Sequence, residues 1–171
     1  MMGSSVQIER DTQLAIKRAR QANDALAAET ARRPDRYAGF ANLAMQDVKA
    51  GIAELQRCVR ELGFKGAMIN HQTTGIYLDD PRYEPFWEAI QDQTSRSIST
   101  PTMPMKKPHV LRGCPELDKA TWEWTTESAS HALRLVVSGL FDRYPRLRII
   151  LGHMGETLPY MFWRLDSRYL I

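Results

Sequence analysis

A chain of 171 residues with 43% hydrophobic and 25% charged side chains has the composition of one globular domain with a sizeable core, which excludes a disordered or low-complexity chain. Its 23 Lys and Arg against 20 Asp and Glu alternate in sign and form no basic block, so the formal net charge of +3 leaves no footprint for nucleic acid. No apolar run nears the ~18 residues of a membrane span and no signal-peptide core follows Met1, so neither membrane nor export is expected; Cys58 and Cys114 form no C-x-x-C pair and are expected to be reduced, cytoplasmic thiols.

Asp11 is placed to cap a helix of about 20 residues in which Ala15, Ala19, Ala22 and Leu26 recur at helical spacing, closed by Arg32, Arg33 and Pro34. Tyr37 to Met45 reads as a strand. Asp47 starts a second helix with Ile52, Leu55, Val59 and Leu62 on one stripe, Gly63 ends it, and Phe64 to Asn70 reads as a buried strand. Thr73 to Pro85 reads as a polar loop, followed by a short helix around Phe86 to Ile90. A long helix from about Asp118 to Arg143 carries Ala129, Ala132, Leu133, Val136 and Leu140 on one face. It feeds the most informative stretch, Arg148-Ile149-Ile150-Leu151-Gly152-His153-Met154-Gly155-Glu156, where an apolar strand ends in a glycine-bracketed turn that delivers a histidine and a carboxylate. A last helix runs from about Glu156.

Repeated strand-then-helix units imply a parallel sheet with the helices outside it. Three strands stand out where a (β/α)₈ barrel needs eight, so the expected fold is α/β, a partial (β/α)₈ barrel in a single incomplete domain spanning 1–171. Catalytic residues of such barrels sit at the C-terminal ends of strands, where His153 falls, and Glu156 three positions later is placed to orient its imidazole. The bland alternative for His153 is capping of the following helix. His71 follows a strand end and either lines a pocket or bonds to nearby backbone, while His109 and His131 carry no ligand signal. The tryptophans Trp87, Trp122, Trp124 and Trp163 suit core or interface packing, or the wall of an aromatic site.

The segments Tyr37-Ala38-Gly39-Phe40-Ala41, Leu62-Gly63-Phe64-Lys65-Gly66-Ala67, Tyr77-Leu78-Asp79-Asp80-Pro81-Arg82-Tyr83 and Gly139-Leu140-Phe141-Asp142-Arg143-Tyr144-Pro145 precede the Gly152-His153-Met154-Gly155-Glu156 turn. In this order they resemble the amidohydrolase-related, metal-dependent decarboxylases, in particular those acting on 2,3-dihydroxybenzoate and γ-resorcylate (2,6-dihydroxybenzoate), over about 11–168. The resemblance implies a barrel that removes CO₂ from a hydroxylated aromatic acid with a divalent metal, Zn or Mn, in a homo-oligomer. It also implies that His153 is the acid/base, with Glu156 as its orienting partner. Arg164 resembles an arginine that reaches across a dimer interface toward the substrate carboxylate, a surface salt-bridging role being the alternative, and His71 is a further substrate-binding candidate.

The resemblance implies metal ligands from a Glu-x-His pair on a first strand, a histidine ending a middle strand and an aspartate on a late strand, and none has a counterpart here, so this chain is expected to bind no metal. Where the family has a strand close to Asp-Val-Pro-Leu-Tyr-Leu-His-Pro, this chain reads Gln93-Thr94-Ser95-Arg96-Ser97-Ile98-Ser99-Thr100-Pro101. Codons permitted for Gln93 to Met105 can nevertheless spell, in a shifted frame, Asp-Val-Pro-Leu-Tyr-Leu-His-Pro-Asp-Asp-Ala-Asp-Glu. The reading is therefore an internal fragment with an aberrant, frame-shifted segment at 93–107, in which Thr94 to Lys107 is irregular and exposed for want of an apolar face. Three functions compete: decarboxylation by the parent protein with this chain inactive, a non-catalytic module pairing with a full-length paralogue, and hydrolysis as elsewhere among amidohydrolases. Sequencing the coding DNA tests the shifted frame, which fails unless the codons spell the histidine strand.

Overall fold

The computed structural model describes residues 4–92, 96–100 and 108–169, with backbone alone for 4, 5 and 96–100. After a single turn, α1 (Ser4–Gln7), comes α2 (Thr12–Ala31), whose Asp11 carboxylate accepts from the Gln13 and Leu14 amides as the sequence predicts. The strand β1 (Ala41–Asn42) is much shorter than the predicted Tyr37 to Met45. α3 (Val48–Arg60), capped by Asp47, leads through Gly63 at φ 68° into β2 (Gly66–Asn70). The predicted polar loop contains a hairpin of β3 (Gln72–Thr73) and β4 (Ile76–Tyr77), closed by Thr74 and Gly75 at φ 51° and 90°, the two left-handed residues that a tight hairpin turn requires. α4 (Glu84–Asp92), β5 (Arg96–Thr100), α5 (Glu123–Val137), α6 (Leu140–Arg143), β6 (Arg148–Leu151) and α7 (Leu158–Tyr169) complete the order.

The strands β1, β2, β5 and β6 form one sheet in that order, and every pairing is parallel. The parallel βα arrangement expected of the sequence is what forms. The strand β5 overturns the expectation of an irregular Thr94 to Lys107. Arg96–Thr100 pair with Gly66–Asn70 on one side and Arg96–Ser99 with Arg148–Leu151 on the other, in the middle of the sheet. Main-chain groups make those bonds whatever the side chains are, and a backbone flanked by two strands satisfies its N–H and C=O groups by joining them. An ordered strand here counts against the shifted-frame account; 93–95 and 101–107 lie outside the described residues.

One face of the sheet is covered by helices. Ala67 and Ile69 of β2 join Leu55 and Cys58 of α3, Phe86, Trp87 and Ile90 of α4, and Leu135 of α5 in the main core. Burial of each large side chain contributes about 1.5–3 kcal/mol. Gly39 gives the Phe64 ring its seat, since a Cβ there would stand 2.5 Å from the ring. Met68 and Ile150 alternate to the other face and are only partly covered, Ile150 being 42% exposed.

The two edges differ. At β1 the buried Asn23 of α2 supplies a side-chain amide in place of a strand: its Nδ2 donates to Asn42 O at 3.0 Å and to Glu54 Oε1 at 2.8 Å, and its Oδ1 accepts from Asn42 N at 2.8 Å. β6 is the other edge, open among the described residues.

The buried face of α5 is not the apolar stripe expected. Val136 is exposed, and Thr125, Ser128 and His131 are buried with Ala132 and Leu135. This polar face lies over polar groups at the sheet end, where His71, directly after β2, stacks on His131 with 4.6 Å between ring centroids. Neither imidazole is exposed. Burial, then the nearby His131 and His153, push His71 down to about 3; burial, then Arg134, do the same to His131.

Two outcomes follow from these contacts. Asn23→Ala, which strands the Asn42 amide and carbonyl while the Glu54 carboxylate keeps its bonds to Arg57, is expected to cost about 2–3 kcal/mol in urea denaturation; a loss under about 0.5 kcal/mol would show that the edge needs no amide. Each buried imidazole takes a proton more readily unfolded than folded. Stability is therefore full above about pH 6.5 and falls as pH drops toward about 3, by roughly 1.4 kcal/mol per pH unit for each ring. His71→Leu is expected to flatten that fall in thermal scans; an unchanged slope would contradict it.

Candidate active site at the C-terminal end of the sheet

β6 delivers its histidine through a strained turn. After the extended Gly152, His153, Met154, Gly155 and Glu156 take φ of 52°, 59°, 76° and 55°, a left-handed run in which only the glycine is at ease. Glu156, with ψ at −126°, stands outside the regions an L residue ordinarily adopts. The turn lifts His153 out of the strand line at the C-terminal end of β6, as the sequence predicts, and leaves it exposed.

Glu156 does not orient His153 through a hydrogen bond. Its Oε2 accepts from Thr125 Oγ1 of α5 at 3.0 Å, and no bond joins it to the imidazole among the described residues. The contact of His153 is aromatic: the Trp124 ring lies 5.5 Å away between centroids, tilted by 43°. The turn's backbone explains the difference, because the left-handed Glu156 sends its side chain to the first turn of α5.

His71 is brought to the same end of the sheet, since its electrostatic neighbours are His131 and His153. The alternative of a loop histidine bonded to backbone is not what forms. Both its ring nitrogens are buried without a hydrogen-bond partner among the described residues, and so are Trp124 Nε1 and Ser128 Oγ. With its pKa near 3 the His71 ring is neutral, one nitrogen a donor and the other an acceptor.

Arg164 is not brought to this group; it stands exposed on α7 with no ion pair among the described residues. Of the four tryptophans, Trp87 is core and bonds Leu78 O at 3.0 Å, Trp124 meets His153, and Trp122 and Trp163 are exposed. Sequence reasoning missed Trp124 as a specific neighbour of His153 and Thr125 altogether, and it gave His131 no role. The signal was present in the spacing of Trp124, Ser128, His131 and Leu135, which is as helical as the apolar spacing that was preferred.

The described residues do not fit a divalent metal. Among them no group of three or more His, Cys, Asp or Glu side chains could hold an ion, and His71 and His131 stack face to face instead of converging their nitrogens.

Comparison with known proteins places this geometry in a family. The family model described as Amidohydrolase matches residues 1–170. The γ-resorcylate decarboxylase of Rhizobium radiobacter is 48% identical over 171 residues, 96% of this chain and 52% of its own length. A crystal structure of 2,6-dihydroxybenzoate decarboxylase complexed with 2,6-dihydroxybenzoate matches with a TM-score of 0.93 at 47% identity, covering 97% of this chain and 53% of that one. The dihydroxybenzoic acid decarboxylase of Polaromonas sp. JS666, solved with manganese and the inhibitor 2-nitroresorcinol, matches with a TM-score of 0.91 at 44% identity, covering 97% and 52%. The chain thus spans about half the length of the relatives it matches, and its parallel sheet and helices are part of their barrel fold. By sequence and by fold, the chain belongs to the amidohydrolase family.

Proposed function

We propose that this chain carries the proton-transfer part of a site for non-oxidative decarboxylation of a hydroxybenzoate, with His153 as the acid. The observation that carries the reading is His153 at the C-terminal end of a parallel strand, on a strained turn, in a chain similar to 2,6-dihydroxybenzoate decarboxylases. In the reaction the bond between ring and carboxylate breaks, CO₂ leaves, and the electron pair left on the ring carbon takes a proton from His153. Glu156 fixes the turn that presents the imidazole. The neutral His71 offers an N–H to a carboxylate or phenolic oxygen, or a lone pair to a phenolic O–H, without adding charge beside His153.

Arg164 is proposed to meet the substrate carboxylate from a second copy, a reading supported by its exposure on α7 beside Tyr160 and Trp163, which are 89% and 81% exposed. The relatives' manganese supports a divalent cofactor, Mn or Zn, for the whole enzyme. The unpaired Cys58 and Cys114, and the lack of any helix long and apolar enough to cross a membrane among the described residues, support a cytoplasmic setting. The open β6 edge and the apolar exposure of α7 favour a second reading, a non-catalytic module that pairs with another chain.

Fluorescence and CO₂ release test the proposal on the 171-residue chain. 2,6-Dihydroxybenzoate is expected to quench tryptophan emission saturably through Trp124, and His153→Ala to weaken that binding about threefold or more. No saturable quenching by a folded chain would overturn the proposal and leave the pairing module. CO₂ release by the chain alone is expected not to exceed a blank; release abolished by His153→Ala would show instead that the described residues suffice for turnover.

A further inference from the structure

The first turn of α5 grips the His153 turn at two adjacent positions. Trp124 lays its ring beside His153, and Thr125 donates its hydroxyl to Glu156 across 31 residues of sequence. Thr125 is buried and Glu156 half-buried, so this is a hydrogen bond to a carboxylate partly removed from water, the stronger kind. It closes on the residue whose backbone is the most strained of the turn, Glu156 at φ 55° and ψ −126°. Inside the turn, among the described residues, two local main-chain bonds hold the strained residues, Gly155 N to Gly152 O and Glu156 N to His153 O, both at 3.0 Å. Strain of this kind persists only where surrounding structure over-determines it, and the two side chains of α5 supply the contacts at its two ends, His153 and Glu156, while Leu151 and Pro159 pack at Gly155 between them. The neighbouring hydroxyl of Thr126 bonds the Glu123 carbonyl of its own helix, so Thr125 is the hydroxyl of this turn of helix that reaches across.

We propose that Thr125 is the positioning residue of this site: its hydroxyl anchors the Glu156 carboxylate and, through it, the left-handed turn that presents His153. Glu156 is then an anchor for the backbone and not a polariser of the imidazole. The proposal rests on the reading of His153 as the acid for its functional meaning, but not for its geometry. A side chain that can only accept, or that lacks a polar group, cannot take the place of Thr125, because an ionised carboxylate offers nothing to accept.

The test reads the turn directly, by amide hydrogen exchange of Gly155 and Glu156 and by the ring-nitrogen NMR shifts of His153. Thr125→Val, which keeps the shape and removes the donor, is expected to speed exchange at both amides about tenfold or more, with Thr125→Ser restoring protection. Glu156→Ala is expected to do the same, and the double variant Thr125→Val/Glu156→Ala to add nothing further. Glu156→Gln, whose side-chain carbonyl still accepts from Thr125 though more weakly, is expected to keep most of the exchange protection and to leave the His153 nitrogen shifts unchanged. Unchanged exchange in Thr125→Val, strictly additive effects in the double variant, or a shift of the His153 nitrogens in Glu156→Gln with exchange intact would each overturn the proposal. Should Thr125→Val unfold, Thr125→Ser and Glu156→Gln still decide between anchor and polariser. Since no readout uses turnover, failure here is distinct from failure of the decarboxylation reading, which the substrate titration decides.

Discussion

The stack of His71 on His131 is the contact through which α5 reaches the C-terminal end of the sheet, and the site hangs from α5. Both rings are fully buried and both are held neutral by that burial, which lets two imidazoles lie face to face where two imidazolium ions would repel. The helix is tied to the hairpin side of the sheet as well. Tyr77 of β4 donates to Glu127 Oε1 at 2.8 Å, Arg134 lies over the Tyr77 ring at 4.7 Å, and the same guanidinium grips Asp79 through two hydrogen bonds of 2.9 and 2.8 Å. With its middle fixed this way, the helix holds its first turn over β6, where Trp124 and Thr125 meet the His153 turn.

That turn is energetically expensive. Three non-glycine residues with positive φ each cost on the order of 1–3 kcal/mol, and nothing in the apolar core compensates them directly. The offsets are local: the Thr125 bond to Glu156, the Trp124 ring against His153, and Leu158, buried at the start of α7. A sheet needing only to pass from β6 into α7 could use a relaxed connection. The strained one leaves an imidazole exposed at the strand's end.

Much of this was legible in the sequence, and the rest was hidden for identifiable reasons. Asp11 and Asp47 announced their helices because a cap is local chemistry, and Gly66–Asn70 and Arg148–Leu151 announced their strands because both carry aliphatic runs. β5 was illegible because its partners, not its side chains, make it a strand: Ser97 and Ser99 sit opposite Ala67 and Ile69 in a ladder that any backbone could complete. The buried face of α5 was misread because Ser128 and His131 bury against polar groups that only the tertiary fold brings near. His153 was placed correctly, since a strand followed by Gly-His fixes the chain direction; the partner of Glu156 was not, since backbone strain at Glu156 decides which way its carboxylate turns. The hairpin at Thr74 and Gly75 escaped because its strands are two residues each, too short to show alternation.

The sheet itself joins the structural and the chemical sides of the site. An all-parallel sheet is ordinarily covered on both faces, yet Met68 and Ile150 are only partly covered, and among the described residues β6 offers an open edge opposite the one that Asn23 closes. The chain spans about half the length of the relatives it matches. Further parallel strands added at β6 would cover the apolar side chains on that face and would bring their own C-terminal ends to the rim that already carries His71 and His153, because every strand of a parallel barrel ends on the same rim. The side chains left partly covered among the described residues, Met68 and Ile150, thus belong to the same two strands whose ends carry His71 and His153.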